Sequence, residues 1–294
     1  MHLSRILLGK RTGSSHEWLK RQHNDPYVRA AQDGKMRARS AFKLQELHAR
    51  YGIIPRGSLV LELGAAPGGW SVVASELSGV SKQCSDLSPI DLESLARTVL
   101  PQSPNPNPLQ IGKPRASIFD LTGVSLQPST PSIPLAIGSQ PCCSVVAVDF
   151  LAIEPIPGVQ VVKGDALNTM LLPLLALISP SRVPMVLLSD MAPSFTGETA
   201  TDQLRQMKLA WGALRVAASG GLGAGGTFVV KVRYGDGYNE VRAACRRMFE
   251  RVHEAKPPAS RAGSAEAYLV GKGFRGGGFS APEIGTLSQF GLST

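Results

Sequence analysis

A glycine-rich loop after a short apolar run is the first feature of this chain that could do chemistry. The apolar run Leu59 to Leu63 leads into Gly64 to Trp70, which read Gly-Ala-Ala-Pro-Gly-Gly-Trp, and a helix-compatible segment follows. Glycines let a backbone approach a ligand at dihedral angles that other residues resist. The spacing differs from the dinucleotide fingerprint, so the loop favours a nucleoside-like cofactor without a diphosphate, such as S-adenosylmethionine. The loop alone is equally compatible with an ordinary strand-to-helix turn.

Acidic residues stand where three predicted strands end: Asp149 after Val148, Asp165 after Gly164 and Asp190 after Ser189. An acid at the end of the second strand is placed to accept hydrogen bonds from ribose hydroxyls, and Asp165 could reach an adenine amino group. Each acid alone is more often a helix cap or a turn residue. Three of them beside the glycine loop favour a ligand site. Asp86 lies nearer the customary spacing of roughly twenty residues from the loop, but Asp149 ends the better strand and is preferred.

Lys231 lies inside the apolar run Phe228 to Val232. In that setting, desolvation is expected to lower the pKa of the amine and free it as a base. The alternative is an edge-strand lysine whose ammonium group reaches water. A position beside Asp190 at the end of a strand favours the functional role.

Strands and helices alternate along most of the chain. The predicted strands are 59–63, 144–148, 159–162, 185–189 and 227–232, short runs typical of buried parallel strands, with 267–270 as a last, antiparallel strand. The predicted helices are 71–77, 166–178, 202–218 and 238–252, preceded by one that begins at Asp25-Pro26 and one that begins after Ser40. Repeated strand–helix units predict a doubly wound α/β sheet, with ligands beyond the carboxyl ends of the strands.

Three segments depart from this pattern, which leaves 17–274 as one predicted domain. Residues 81–142 are rich in proline and serine without a sustained period and are predicted to be a mostly disordered insertion. Residues 275–294 are predicted to be a disordered tail. Residues 1–16 are basic and lack acids, which predicts a mitochondrial presequence or, alternatively, a disordered arm that touches RNA. The insertion and the tail are not expected to carry chemistry.

The composition narrows the class of partner. The 294 residues carry a net charge of +9, which points to a polyanion, with nucleic acid the leading candidate. The basic segment Lys35 to Arg39, with Lys20, Arg21 and Arg29, is expected to bind phosphates, although a solvated helix end is the alternative for that segment. The four cysteines have no C-x-x-C spacing, so neither a metal site nor a disulfide framework is predicted. No apolar run approaches the length of a membrane span.

These motifs together resemble the FtsJ/RrmJ-type RNA 2′-O-ribose methyltransferases, most of all the mitochondrial large-subunit rRNA enzymes. The resemblance is carried, in chain order, by residues 14–19, 25–28, 37–44, 63–70, 189–193, 228–231 and 256–268. It implies a Rossmann-like S-adenosylmethionine-dependent methyltransferase fold. Such a fold has a mostly parallel seven-stranded sheet, helices on both faces and an antiparallel last strand.

The resemblance also implies which residues act. Its catalytic tetrad of two amines and two carboxylates falls on Lys43, Asp190, Lys231 and Glu266. Its cofactor positions fall on Gly64, Pro67, Gly68, Gly69, Trp70, Asp149, Asp165 and Asp190. The implied reaction is methyl transfer from S-adenosylmethionine to a ribose 2′-hydroxyl, expected on a uridine of mitochondrial large-subunit rRNA, by a monomer in the matrix without a metal. The proline-rich insertion departs from the family pattern and bears on the alignment of Asp149.

Two other functions stay open on the sequence. One is a cytosolic or nuclear enzyme that methylates tRNA at the same ribose hydroxyl. The other is a non-catalytic RNA-binding ribosome-assembly factor on the same scaffold. The presequence-like start and the segment Lys256 to Arg261 favour the mitochondrial enzyme, and an intact tetrad favours catalysis over binding alone.

Overall fold

The computed structural model describes residues 27–29, 36–79, 87–99, 143–261 and 263–276. Within these ranges eight strands form: β1 (Val60–Leu63), β2 (Ile90–Asp91), β3 (Val145–Asp149), β4 (Val159–Lys163), β5 (Val186–Ser189), β6 (Thr227–Arg233), β7 (Phe249–Ala255) and β8 (Glu266–Phe274). The helices are α1 (Ser40–Tyr51), α2 (Gly69–Ser78), α3 (Leu92–Val99), α4 (Leu171–Ile178), α5 (Thr199–Val216) and α6 (Tyr238–Met248). None of the helices in the described ranges is long and apolar enough to cross a membrane.

One sheet joins all eight strands in the order β2-β4-β3-β1-β5-β6-β8-β7. The strands from β2 to β6 pair in parallel, and β8 pairs antiparallel with both β6 and β7. The predicted α/β fold with an antiparallel last strand is therefore confirmed. The sheet has eight strands rather than seven because the two-residue strand β2 adds to its edge beside β4.

Alternate strand residues pack on opposite faces of the sheet. Leu61, Leu187 and Phe228 belong to the core that contacts α3, α4, α5 and α6. Val60 and Leu188 belong to the second core, which contacts α1 and α2. Because helices cover both faces, the central strands are mostly apolar, which is why they were predictable as short β-branched runs.

The helix predicted for 238–252 is wrong at its carboxyl end. It stops at Met248, and the following residues form β7 at the edge of the sheet. The Phe249 ring stacks on Phe228 with 5.5 Å between ring centroids, and this contact anchors the strand to the core. The exposed positions of β7 carry charged residues, as edge strands often do, so the segment lacks the apolar run that predicts a strand.

Part of the predicted disordered insertion is ordered. Residues 87–99 form β2 and α3, and Leu92 is fully buried. A Cβ on Gly164 would lie 2.7 Å from the Leu92 Cβ, so the helix packs directly on the turn after β4. Prolines elsewhere in the segment concealed this short apolar stretch. The rest of the insertion, the predicted presequence 1–16, Lys35 and residues 277–294 of the predicted tail lie outside the described residues.

Candidate active site

The glycine loop connects β1 to α2 at the carboxyl edge of the sheet. Gly64 and Gly68 have φ values of 76° and 101°, a backbone region that favours glycine. A Cβ on Gly64 would lie 2.5 Å from the Met191 Cγ, so the loop packs directly against the residue that follows Asp190. The loop and the chain beyond β5 therefore form one continuous wall at this edge.

Asp149 ties the loop to the neighbouring strand β3. Its Oδ2 accepts a hydrogen bond from the Ala66 N–H at 2.9 Å, and its Oδ1 accepts one from the Leu151 N–H at 2.8 Å. A carboxylate has about four lone-pair sites, so Asp149 keeps acceptor capacity for a ligand hydroxyl. Its place at the end of the strand beside β1 matches the predicted ribose-binding position. The competing Asp86 lies outside the described residues.

Asp165 lies one strand further from the loop, after β4. Its Oδ1 accepts a hydrogen bond from the Leu167 N–H at 2.8 Å, and its carbonyl oxygen accepts one from the Asn168 N–H at 3.0 Å. These contacts stabilise the turn before α4. The structure thus gives Asp165 the turn role that the sequence left open, and its part in a cofactor site stays a prediction.

The side chain of Trp70 is buried, and the predicted part of this residue in a cofactor site stays a prediction. The residue is 2% exposed, and its indole Nε1–H donates to the Ser40 carbonyl oxygen at 2.7 Å. Gly69 is also buried, and a Cβ there would lie 3.1 Å from the Ser40 Oγ. Both residues hold α2 against the start of α1. Of the predicted loop residues, the exposed Pro67 and the positive-φ glycines Gly64 and Gly68 remain at the turn itself.

The four predicted catalytic side chains meet as two ion pairs. Lys43 on α1 places its Nζ 2.5 Å from the Glu266 Oε1 at the start of β8. Lys231 on β6 places its Nζ 2.7 Å from the Asp190 Oδ1, and it also donates to the Asp190 carbonyl oxygen at 2.7 Å. All four side chains are less than one-fifth exposed. Chain segments far apart in sequence thus converge on one partly buried charge cluster.

Tyr268 joins the two ion pairs and was missed by the sequence analysis. Its hydroxyl donates to the Asp190 Oδ1 at 2.7 Å and accepts a hydrogen bond from the Lys43 Nζ at 3.3 Å. Burial, followed by the negative charges of Asp190 and Glu266, raises the pKa of Tyr268 well above its ordinary value, so the phenol stays a donor. In the β6–β8 ladder Tyr268 is paired with Lys231, and side chains two residues apart share a face. The spacing of two residues between Glu266 and Tyr268 on β8 was the sequence signal that could have identified Tyr268 as a neighbour of the tetrad.

Opposite charges set the ionisation of Glu266. Burial alone would raise the pKa of this carboxyl, but the ammonium groups of Lys43 and Lys231 outweigh burial and lower it. Glu266 therefore keeps its negative charge at neutral pH. The Ser260 hydroxyl also donates to its Oε1 at 3.0 Å, which fixes the carboxylate further.

Gln206 on α5 holds the backbone next to Asp190 and Lys231 in place, and the sequence analysis also missed it. Its Nε2 donates to the carbonyl oxygens of Met191 at 3.1 Å and Lys231 at 3.2 Å. The side chain thereby links the backbone after β5 to the backbone of β6. A glutamine in a helix normally predicts a solvent-facing position, yet this one is 1% exposed.

The basic residues ahead of α1 contact the protein itself. The Arg37 guanidinium donates to the carbonyl oxygens of Glu154 at 2.7 Å and Pro155 at 2.8 Å. Arg39 donates to the Ala259 carbonyl oxygen and, with Lys43, Arg261, Ser264 and Glu266, lines a cavity of about 280 Å³. The expected phosphate-binding role of this segment stays a prediction, with Arg39 as the member that lines a cavity.

Comparison with known proteins now identifies the family. A model described as FtsJ-like methyltransferase matches residues 36–112 and 133–274. The chain belongs to this family. The predicted resemblance to FtsJ-type enzymes is confirmed, whereas the mitochondrial assignment stays a prediction.

Bacterial relatives of this FtsJ-like methyltransferase match along most of its length. A Magnetococcus marinus protein named ribosomal RNA large subunit methyltransferase E is 34% identical over 277 residues, covering 92% of this chain and 100% of the relative. An Acidiphilium cryptum protein of the same name is 36% identical over 266 residues, covering 90% of this chain and 89% of the relative. A crystal structure of a ribosomal RNA methyltransferase from Plasmodium falciparum matches with a TM-score of 0.53 and 22% sequence identity. The match covers 82% of this chain and 100% of the Plasmodium chain, and it supports the fold.

Glu62 is a further carboxyl group of this FtsJ-like methyltransferase that the sequence analysis passed over. It lies in the middle of β1, is 1% exposed, and accepts a hydrogen bond from the Ser71 Oγ at 2.6 Å. Burial, with a smaller effect of the negative charges of Asp190 and Asp149, outweighs the lowering effect of the Ser71 hydrogen bond and raises the pKa of Glu62 to about 8. A protonated carboxyl therefore lies beneath the glycine loop at neutral pH.

The Tyr268 bridge can be tested by deleting one hydroxyl. We expect Tyr268→Phe to lower the free energy of unfolding by about 1–3 kcal/mol, because Asp190 and Lys43 each lose a buried hydrogen-bond partner. The control Tyr234→Phe removes the hydroxyl of an exposed tyrosine that donates to Glu254 at 2.5 Å, and it should cost less than about 1 kcal/mol. Urea unfolding of both variants at neutral pH measures the difference. Equal losses of unfolding free energy in the two variants would show that the Tyr268 hydroxyl contributes no more to stability than an exposed tyrosine hydroxyl does.

Stability should also depend on the ionisation of Glu62. In the unfolded chain this carboxyl ionises near its ordinary pKa of 4.5, whereas in the folded protein it keeps its proton up to about pH 8. Its contribution is therefore fully present below pH 4.5 and is lost as the pH rises towards 8. Glu62→Gln should remove this loss.

We expect Glu62→Gln to stabilise the protein more at pH 9 than at pH 5, by on the order of 2 kcal/mol or more. The control Glu76→Gln changes an exposed glutamate of α2 and should have the same effect at both pH values. Thermal unfolding across this range measures both variants. A Glu62→Gln effect that does not change with pH would contradict a buried, protonated carboxyl.

Proposed function

We propose that this FtsJ-like methyltransferase transfers the methyl group of S-adenosylmethionine to a ribose 2′-hydroxyl of ribosomal RNA. The observation that carries the proposal is the convergence of Lys43, Asp190, Lys231 and Glu266 beside the glycine loop. The contact between Gly64 and Met191 makes the loop and the tetrad neighbours. A methyl donor held by the loop would therefore lie within reach of a hydroxyl held by the tetrad.

The residues around the loop fit a cationic nucleoside cofactor. Asp149 offers carboxylate oxygens at the end of the strand beside the loop, where ribose hydroxyls can donate to them. Asp149 and Asp190 both act electrostatically on Glu62, and because Glu62 keeps its proton, the negative charge near the loop comes from the two aspartates. When bound, S-adenosylmethionine supplies an electrophilic methyl group on a sulfonium and carries a positively charged ammonium group. The acidic surroundings suit both positive charges.

The tetrad can hold and activate the acceptor hydroxyl. Lys231 has its Nζ fixed by the Asp190 carboxylate and carbonyl oxygens, and we assign its neutral amine form to orient the 2′-hydroxyl and to accept its proton, which makes it an ammonium. Holding the reacting groups in line can lower the barrier by up to about 7–11 kcal/mol in ideal systems. General-base assistance typically adds on the order of 10²–10⁴ in rate. The pair of Lys43 and Glu266 is linked to the pair of Lys231 and Asp190 through the Tyr268 hydroxyl, which holds both pairs in place.

RNA as the acceptor is supported by charge and by the names of the relatives. The chain carries a net charge of +9, and binding to phosphates is dominated by such electrostatic attraction. The cavity lined by Arg39, Arg261 and Lys43 opens onto the first ion pair. The bacterial relatives are named as large-subunit ribosomal RNA methyltransferases. We therefore favour large-subunit rRNA over tRNA.

Lysine substitutions at position 231 test both the reaction and the role of the amine. We expect Lys231→Ala to lower the rate of methyl transfer by a factor of at least about 10². Cofactor binding should persist. Lys231→Arg keeps the positive charge but cannot act as a base near neutral pH, so it should also be inactive if Lys231 accepts the proton. The control Lys272→Ala removes a lysine at the opposite end of the β6–β8 ladder, which donates to the Gly52 carbonyl oxygen at 2.8 Å, and should stay active.

The measurement is incorporation of radiolabelled methyl groups into bulk rRNA that lacks ribose methylation. Calorimetry with S-adenosylmethionine reports cofactor binding separately. Transfer by Lys231→Ala would remove this lysine from the mechanism, and transfer by Lys231→Arg would leave it only an orienting role. A wild-type protein that binds RNA but transfers no methyl group would instead favour the assembly-factor function.

We further propose that the enzyme acts in the mitochondrial matrix on a uridine, with residues 1–16 as the targeting segment. The support is the basic, acid-free composition of these residues, including Arg5, Lys10 and Arg11. A fusion of a fluorescent protein to the carboxyl end of the full chain should enter mitochondria in a eukaryotic cell.

Replacing Arg5, Lys10 and Arg11 with glutamine should leave that fusion in the cytosol, because presequences depend on positive charge. Replacing Lys20 and Arg21 instead removes two nearby charges and should not change the location. Fluorescence microscopy distinguishes the two fusions. Cytosolic or nuclear signal from the unchanged chain would favour the tRNA alternative.

A further inference from the structure

The exposed aromatic ring of Phe195 lies close to the tetrad but has no part in the proposed methyl transfer. Phe195 belongs to the loop between β5 and α5, five residues after Asp190, and is 56% exposed. Large aromatic side chains bury much apolar surface when they can. An exposed ring at the carboxyl edge of the sheet, where the methyl acceptor must enter, therefore invites a functional explanation.

The loop holds Phe195 in a fixed position. On one side, Arg205 donates to the Ser194 carbonyl oxygen at 3.3 Å. On the other, the Thr196 N–H and hydroxyl both donate to the Asp202 Oδ1, at 2.7 and 2.9 Å. Asp202 is 5% exposed, so these bonds are shielded from water. The ring is thus presented by a preorganised turn, as a binding surface requires.

The positively charged guanidinium of Arg233 packs against the Phe195 ring. The Arg233 Cζ lies 5.6 Å from the centre of the Phe195 ring, within the range of a cation–π contact. Arg233 follows Lys231 by two residues on β6 and is paired with Glu266 on β8, so it shares the face of the ladder that carries the tetrad. Its buried Nε has no hydrogen-bond partner in the part of the chain that the structure describes.

We propose that Phe195 and Arg233 form a stacking platform for an unstacked nucleobase of the RNA, adjoining the ribose that the tetrad holds. The inference rests on the proposed function and adds how the acceptor strand is bound. Single-stranded RNA is recognised by stacking bases on aromatic rings and on guanidinium planes, and its phosphates are attracted by positive charge. A flat ring with an arginine behind it supplies both interactions.

A nucleobase fits this surface better than a protein partner does. The platform lies on the same face of the ladder as the side chains that must remain open to the acceptor, so a protein seated there would cover the entrance. The net charge of +9 also favours a polyanion. A partner protein is therefore an outcome of the test rather than the proposal.

The test compares two RNA-like probes on the full-length protein. One is a fluorescein-labelled oligouridylate of about twelve nucleotides, and the other is the same ribose-phosphate chain without bases. We expect Phe195→Ala to weaken oligouridylate binding about 5- to 100-fold, the range for loss of one base–aromatic stack. Binding of the base-free chain should not change, because its phosphates contact cations only.

Matched variants and separate assays keep the outcome clear. Phe195→Trp should bind oligouridylate within about twofold of the wild type, because tryptophan also stacks. The control Val183→Ala changes a side chain that is 55% exposed and lies ahead of β5, at the opposite edge of the sheet, and should change neither affinity. Fluorescence anisotropy gives the dissociation constants, and circular dichroism confirms that the variants fold.

An unchanged affinity of Phe195→Ala for both probes would overturn the platform and indicate another occupant, such as a protein. Equal weakening for both probes would also overturn it, since the loss would not depend on bases. Methyl transfer by the wild type is measured separately. Its absence would refute the proposed reaction, whereas base-dependent loss of binding in Phe195→Ala would still support the platform.

Discussion

Two ion pairs joined by one phenol hydroxyl are the interaction on which the rest of this structure depends. Burying an ammonium or a carboxylate costs several kcal/mol unless an opposite charge and hydrogen bonds accompany it. Here Lys43 and Glu266 join α1 to β8, while Lys231 and Asp190 join β6 to the end of β5. Tyr268 contacts both pairs. The cluster is satisfied only when all these elements are in place, so it specifies one arrangement of the helix and the strands around the site.

The fold was predictable wherever burial left a simple pattern. Central strands covered by helices on both faces must be apolar, so β1 and β3 to β6 stood out in the sequence. The edge strand β7 pairs with only one neighbour and is buried only at its two ends, Phe249 and Ala255, so the charges between them continued the pattern of the preceding helix. Leu92 was hidden for a different reason, since one buried residue cannot outweigh the prolines around it. Local composition predicts the centre of a sheet better than its edges.

The site was predictable through resemblance and not through chemistry alone. The tetrad came from the family motifs, and the structure brings its four members together. Tyr268 and Gln206 were missed because a tyrosine in a strand and a glutamine in a helix are ordinary in sequence, and only strand register and helix packing reveal their contacts. Trp70 was the ambiguous residue of the loop, because a tryptophan after a glycine loop can equally line a pocket or fill a core. Which of the two it does depends on the position of Ser40, thirty residues away in the chain.

The place where the long proline-rich insertion rejoins the sheet determines how a change in its length would affect the site. The chain returns from it at Cys143 and enters β3 from the amino end, whereas Asp149 and Asp190 lie at the carboxyl ends of β3 and β5. The entropy of closing a loop grows only logarithmically, so doubling its length costs about 0.6 kcal/mol. Residues added or removed at this junction are therefore expected to change the stability of the protein little and to leave the geometry around Asp149 unaltered.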